Sequence, residues 1–171
     1  MTEGQFKAAT PKRITMERTF DSPIEDVWEL WTTKAGIESW WGPDGFSVTV
    51  RRLDLRPGGE LLYAMSAAEP DKIEFMKKNG MPTTTECLIR FTEVEPLRRL
   101  AYVHLADFIP GVKPYDVATV VELERVPAGV RMVLSFDAMH DDLWTERASM
   151  GWANELDRLG ARLAERRGGK S

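Results

Sequence analysis

The sequence predicts an α+β domain: a curved seven-strand antiparallel sheet, two short helices after the first strand, and a long C-terminal helix over the sheet. Three observations carry this prediction. Apolar residues alternate with polar ones in seven segments bounded by turn signals. Helical spacing appears in two short pieces between the first and second of those segments. In the last segment, 141–167, Ala148, Trp152, Leu156, Leu159 and Leu163 recur at intervals of four, four, three and four, which puts them on one side of a long amphipathic helix. Strands joined by short turns pair antiparallel, and this helix carries the largest apolar stripe available to cover their concave face.

The elements follow in order. Ile14, Met16, Arg18 and Phe20 alternate with Thr15, Glu17 and Thr19 until Asp21-Ser22-Pro23 ends the strand. Ser22 is a good N-cap, Pro23 suits a first helical turn, and Glu25 stands three residues after the cap, so a capping box is expected. Val27, Leu30 and Trp31 carry the first helix with Trp28 on its flank; a second runs from Lys34 to Trp41 and stops at Gly42-Pro43. Phe46, Val48 and Val50 then give way to Leu53 and Leu55, a parity shift that a bulge near Arg51-Arg52 explains. Arg56-Pro57-Gly58-Gly59 turns the chain into a return strand, Glu60 to Ala67. Asp71 to Asn79, with Ile73, Phe75 and Met76, reads as either a short helix or a lid-like loop. Strands are expected at Thr83 to Val94, Arg98 to Ala106, Tyr115 to Val126 and Val130 to Met139.

Composition narrows the classes. A chain of 171 residues with 43% hydrophobic and 29% charged residues is globular, and one domain over 13–167 with flexible tails at 1–12 and 168–171 accounts for it. Net charge −4 and scattered arginine pairs leave no basic footprint for nucleic acid. Cys87 is the single cysteine, which excludes an intramolecular disulfide, suits a reducing cytoplasm and reads as a buried, inert thiol. The N-terminus has no signal-peptide core and no segment approaches the roughly 20 apolar residues of a membrane span, so a cytoplasmic protein without membrane insertion is expected. With two histidines and one cysteine, neither a metal site nor a cofactor is expected. Glycine-rich phosphate loops and the GxSxG elbow are also missing.

The element order and several motifs together resemble the START-like (SRPBCC, Bet v 1-like) helix-grip superfamily. The branch is the Aha-type one, named for activators of a heat-shock chaperone ATPase. The motifs are Phe20-Asp21-Ser22-Pro23 followed by Val27-Trp28-Glu29-Leu30-Trp31-Thr32, Trp40-Trp41-Gly42-Pro43, Asp54-Leu55-Arg56-Pro57-Gly58-Gly59, and Met150-Gly151-Trp152 leading to Leu156 and Leu159. The resemblance covers about Ile14 to Ala164. It implies a hydrophobic cavity between sheet and long helix, of the kind that binds lipids, sterols, polyketides or other apolar ligands. The founding member joins such a domain to a separate chaperone-binding domain, for which this chain has no length left.

The expected ligand contacts are Trp31, Trp40, Trp41, Phe75, Tyr102, Phe108 and Trp152, and the expected partner is a small apolar or aromatic molecule bound by a monomer or homodimer. One indole of Trp40-Trp41 should buttress the helix pair while the other faces the cavity. The alternative enzyme, a cyclase or hydrolase, would use Tyr102, His104 and Asp116, with Asp107 nearby, for proton transfer. A third reading is a chaperone cofactor or stress-response interaction protein. In Met139-His140-Asp141-Asp142, one of the two aspartates is expected to cap the last helix. Arg51, Arg52 and Arg56 read as solvated charge.

Overall fold

The computed structural model describes residues 13–42, 45–106 and 111–169. The expected tail at 1–12 and the last two residues of the expected tail at 168–171 lie outside the described residues. Eleven elements follow: β1 (Arg13–Phe20), α1 (Ile24–Thr32), α2 (Lys34–Trp40), β2 (Phe46–Leu53), β3 (Glu60–Ala67), α3 (Pro70–Lys78), β4 (Thr84–Glu95), β5 (Arg99–Ala106), β6 (Tyr115–Val126), β7 (Gly129–Asp137) and α4 (Asp142–Gly169). The strands form one sheet in the order β1-β7-β6-β5-β4-β3-β2, every neighbouring pair antiparallel. This is the α+β helix-grip arrangement predicted from the periodicities.

Strand register decides which side chains meet the helices. Tyr102 lies opposite Phe91 and Thr119, and His104 opposite Ile89 and Val117, so Leu100, Tyr102 and His104 share the inner face. Leu61, Ile89, Phe91, Val121, Leu134 and Phe136 fill that face. Against it pack Val27, Leu30, Trp31, Ile37, Trp40, Leu156, Leu159 and Leu163. Each such side chain contributes about 1.5–3 kcal/mol by leaving water. The close backbone approaches of α4 are to β1, α1 and α2, so side chains span the space to the middle of the sheet.

Several local expectations meet their counterparts. The register between β2 and β3 slips between Val50 and Arg52, the bulge that the parity shift required. Asp141 Oδ1 accepts the Trp144 backbone N–H at 2.8 Å, capping α4. The segment left open between helix and loop is the helix α3. The capping box at Ser22 does not form: the N-cap of α1 is Pro23, one residue later, and the Ser22 hydroxyl donates to the Pro23 carbonyl instead.

Thr33 links α1 to α2, its Oγ1 accepting from Gly36 N and donating to Glu29 O. A Cβ on Gly36 would stand 2.5 Å from Glu29 O, so glycine lets α2 press onto the end of α1. Gly129, at the β6–β7 turn, has φ +134°, and a Cβ there would stand 2.1 Å from Phe20 O. Gly129→Ala is therefore expected to destabilise the domain by about 3 kcal/mol, through backbone strain plus displacement of β1. A denaturation midpoint equal to that of the wild type would show that the turn relaxes freely.

Candidate functional site

The adjacent tryptophans divide their work. Trp40, 0% exposed, turns into the helix pair, where its Nε1–H donates to the Leu30 carbonyl at 2.8 Å and its ring meets the edge of Trp31 at 4.7 Å. Trp41, 6% exposed, turns to the sheet instead, packing edge-on to Tyr63 at 5.3 Å and tilted against Tyr102 at 6.4 Å. Trp31 meets Trp41 at 6.1 Å and stacks on Trp152 of α4 at 6.0 Å. An aromatic layer of Trp31, Trp41, Tyr63, Tyr102 and Trp152 thus runs from the helix pair across the space between sheet and α4.

Polar groups are set into this layer. The Nε1 atoms of Trp31 and Trp41 and the Oγ1 of Thr119 are enclosed and make no hydrogen bond of normal geometry within the protein. Such atoms are rare because each forfeits solvation without return. Glu155, one turn beyond Trp152, accepts the Gly42 N–H at 2.9 Å, and Arg158 donates to the Gly42 carbonyl. Burial of the Glu155 carboxyl pushes its pKa from an ordinary 4.5 to about 7, although the Gly42 N–H and the Arg158 charge both favour the carboxylate.

The two tyrosines also stay neutral. Burial raises Tyr63 well above its ordinary value, and the charges of Cys87, Glu155 and Tyr102 add to it. Burial raises Tyr102 as well, followed by the charge of Glu155; the Thr119 hydroxyl opposes that rise without being aligned as a hydrogen bond. The layer therefore offers indole N–H donors, neutral phenols and one carboxyl poised between acid and base, all on an apolar wall.

Of the residues expected to contact a ligand, Trp31, Trp40, Trp41, Tyr102 and Trp152 come together. Phe75 does not: it stands 59% exposed on α3, beside an open surface depression of about 650 Å³ lined by Pro70, Ile73, Glu74, Lys77 and Lys78. Phe108 and Asp107 lie outside the described residues. Tyr102 and His104 share the inner face, and burial lowers the His104 pKa against the opposing charge of Asp116. Asp116 itself alternates with Val117 onto the outer face, so the three do not converge on one point. Cys87, half-buried and not enclosed as expected, lies opposite Tyr63. Arg51, Arg52 and Arg56 pair with Glu86, Glu60 and Asp54, as surface charge does.

Sequence reasoning missed Glu155 and Tyr63. The signal was present for Glu155: it stands three residues after Trp152 and four before Leu159, inside the apolar stripe. Among the described residues, no cluster of three or more His, Cys, Asp or Glu is placed to hold a metal ion, and no helix is long and apolar enough to cross a membrane.

The profile of the family described as Activator of Hsp90 ATPase homolog 1-like protein matches residues 21–164. The chain belongs to that family. Three solved structures share the fold: a protein of Chromobacterium violaceum (21% identity, TM-score 0.70, covering 90% of this chain and 98% of its own); the AHSA1-like protein of Aeromonas hydrophila (24%, 0.70, 92% and 94%); and the AHSA1 protein of Silicibacter pomeroyi (21%, 0.70, 91% and 99%). No curated protein matches at a significant level. The span matched by the Activator of Hsp90 ATPase homolog 1-like family includes every residue of the aromatic layer and Glu155, and leaves out β1. Family and fold together indicate a ligand-binding or chaperone-cofactor-like domain.

Proposed function

We propose that this domain is an intracellular binding module for a small apolar or aromatic molecule carrying a carbonyl or hydroxyl group, held between the sheet and α4. The observation that carries the reading is the pair of enclosed indole N–H groups, Trp31 and Trp41, set without protein partners in an aromatic layer next to the Glu155 carboxyl. A ligand acceptor would satisfy an indole donor, the aromatic faces would supply apolar burial, and Glu155 would accept from a ligand hydroxyl. Because Glu155 is charged above its raised pKa, an anionic ligand fits less well than a neutral one.

The test is native mass spectrometry of the protein purified from its own host, followed by denaturation to release and identify what is bound. A stoichiometric neutral small molecule is the expected result, and Trp41→Phe, which keeps a ring but removes the N–H, should weaken its binding about tenfold. Empty protein whose tryptophan emission ignores neutral apolar probes would overturn the reading.

A second reading rests on the outer face of the sheet. Leu88 (45% exposed) pairs with Leu62, and Leu105 (47% exposed) lies on the same face, an apolar area that suits a protein partner or a second copy. A dimer or a co-purified protein in the same spectrum would favour it. The cyclase or hydrolase alternative is the least supported, since Asp116 stands on the face opposite Tyr102 and His104.

A further inference from the structure

A second cluster lies where β6 begins and α4 starts, away from the aromatic layer. The Tyr115 hydroxyl stands 3.1 Å from His140 Nδ1 and accepts the His140 backbone N–H, also at 3.1 Å. His140 Nε2 is 3.3 Å from Asp141 Oδ2, while Asp141 Oδ1 caps α4. The His140 ring is flanked by Tyr115 at 6.0 Å and by Trp144 at 6.2 Å.

The protons follow from the partners. The Asp141 carboxylate lies beside Nε2 as a charge contact and not as an aligned hydrogen bond; its charge favours the imidazole hydrogen on Nε2 and leaves Nδ1 as the acceptor. The Tyr115 O–H then donates to Nδ1; the Met139 sulfur at 3.8 Å is the weaker alternative. The resulting order, carboxylate to imidazole to hydroxyl, is the one by which an adjacent base activates an oxygen nucleophile. The His140 backbone N–H favours the negative oxygen that attack requires. A tether between β6 and the start of α4 would need one of these contacts; the cluster has the Tyr115–His140 and His140–Asp141 contacts in series, with the His140 backbone N–H added at the hydroxyl.

We propose that Tyr115 is a nucleophile activated by His140 and positioned through Asp141, reactive towards electrophilic acyl or sulfonyl centres. With an arylsulfonyl fluoride the Tyr115 oxygen forms the new O–S bond and the S–F bond breaks. Fluoride leaves with the bonding pair, and the phenolic proton passes to His140 Nδ1, where Asp141 balances the imidazolium. The site does not depend on the binding reading above.

The experiment is labelling of the intact protein with phenylsulfonyl fluoride, the modified tyrosine being located by peptide mass spectrometry. Tyr115 is expected to label about tenfold or more faster than N-acetyltyrosinamide, and His140→Gln should bring it to the free rate. Asp141→Ser keeps an N-cap residue while removing the carboxylate, so α4 should persist by circular dichroism while the labelling rate falls. The imidazole ¹⁵N spectrum should show the Nε2–H form of His140 in the wild type and lose that preference in Asp141→Ser. Tyr115 labelling at the free rate, protection from labelling, or rates indifferent to both variants would overturn the proposal; an unchanged tautomer would remove Asp141 from it.

Discussion

Trp40→Ala is expected to lower folding stability by about 3–5 kcal/mol, a large share of the 5–15 kcal/mol typical of a domain. The loss has two sources. The indole fills the junction of α1 and α2 completely, so its removal leaves a cavity that two short, closely apposed helices cannot collapse into without moving Trp31. Its N–H also satisfies the Leu30 carbonyl near the end of α1, which would lose that buried donor. Trp41→Phe should cost much less, about 1–2 kcal/mol, because the N–H it removes has no protein partner to abandon. Urea midpoints of the two variants measure the contrast. Equal losses would mean that the two indoles are not divided between packing and binding as their hydrogen bonds indicate.

Glu155→Gln should flatten the pH dependence of stability between about pH 4.5 and 7. The sign follows from the direction of the shift. The native carboxyl, raised to about 7, keeps its proton in a range where the unfolded chain has lost it, so the native state binds more protons and stability falls as pH rises. Above pH 7 the fall is complete, amounting to on the order of 3 kcal/mol at 1.36 kcal/mol per pKa unit. The groups facing Glu155 are the Gly42 N–H and Arg158, which favour its charge, and the Tyr63 and Tyr102 phenols, which remain neutral. His104 acts in the opposite sense: its lowered pKa makes the unfolded chain the stronger proton binder, so its contribution rises with pH until about 6.5. The difference between wild type and Glu155→Gln, not either curve alone, therefore isolates Glu155. Parallel curves from pH 4.5 to 8 would place that carboxyl in water.

Periodicity made the sheet and the long helix legible because burial acts on whole faces. Ile14, Met16 and Phe20 had to share a side of β1, and Leu156, Leu159 and Leu163 a side of α4, whatever they faced. The bulge was readable for the same reason, since a parity change from Val50 to Leu53 has no other local cause. The cap at Ser22 was not readable: whether the helix starts at residue 23 or 24 depends on a carbonyl that the hydroxyl can bond instead. The site was half legible. Tryptophans advertise themselves, but the direction of each indole N–H is fixed by neighbours far away in sequence, such as Leu30 for Trp40. Glu155 was hidden by the habit of reading charge as surface, although its place in the apolar stripe was there to see. Of the Tyr115–His140–Asp141 cluster the cap at Asp141 was readable, but Tyr115 escaped because residues 115 and 140 are brought together only by the pairing of β6 with β7.

The strand order also sets a schedule for making the molecule. Among the described strands β1 pairs with β7 alone, Arg13 opposite Asp137, so the first strand of this sheet has no partner until the seventh arrives. At the usual 5–20 residues per second, that wait is on the order of ten seconds. During it the helices α1 and α2 can form on local contacts, while β2 to β6 zip up as successive hairpins. The apolar side of β1 must meanwhile stay clear of other chains. α4, which covers the tryptophans, comes later still, so the nascent protein shows its stickiest surface until that helix has emerged, and chaperone demand should be concentrated in that interval.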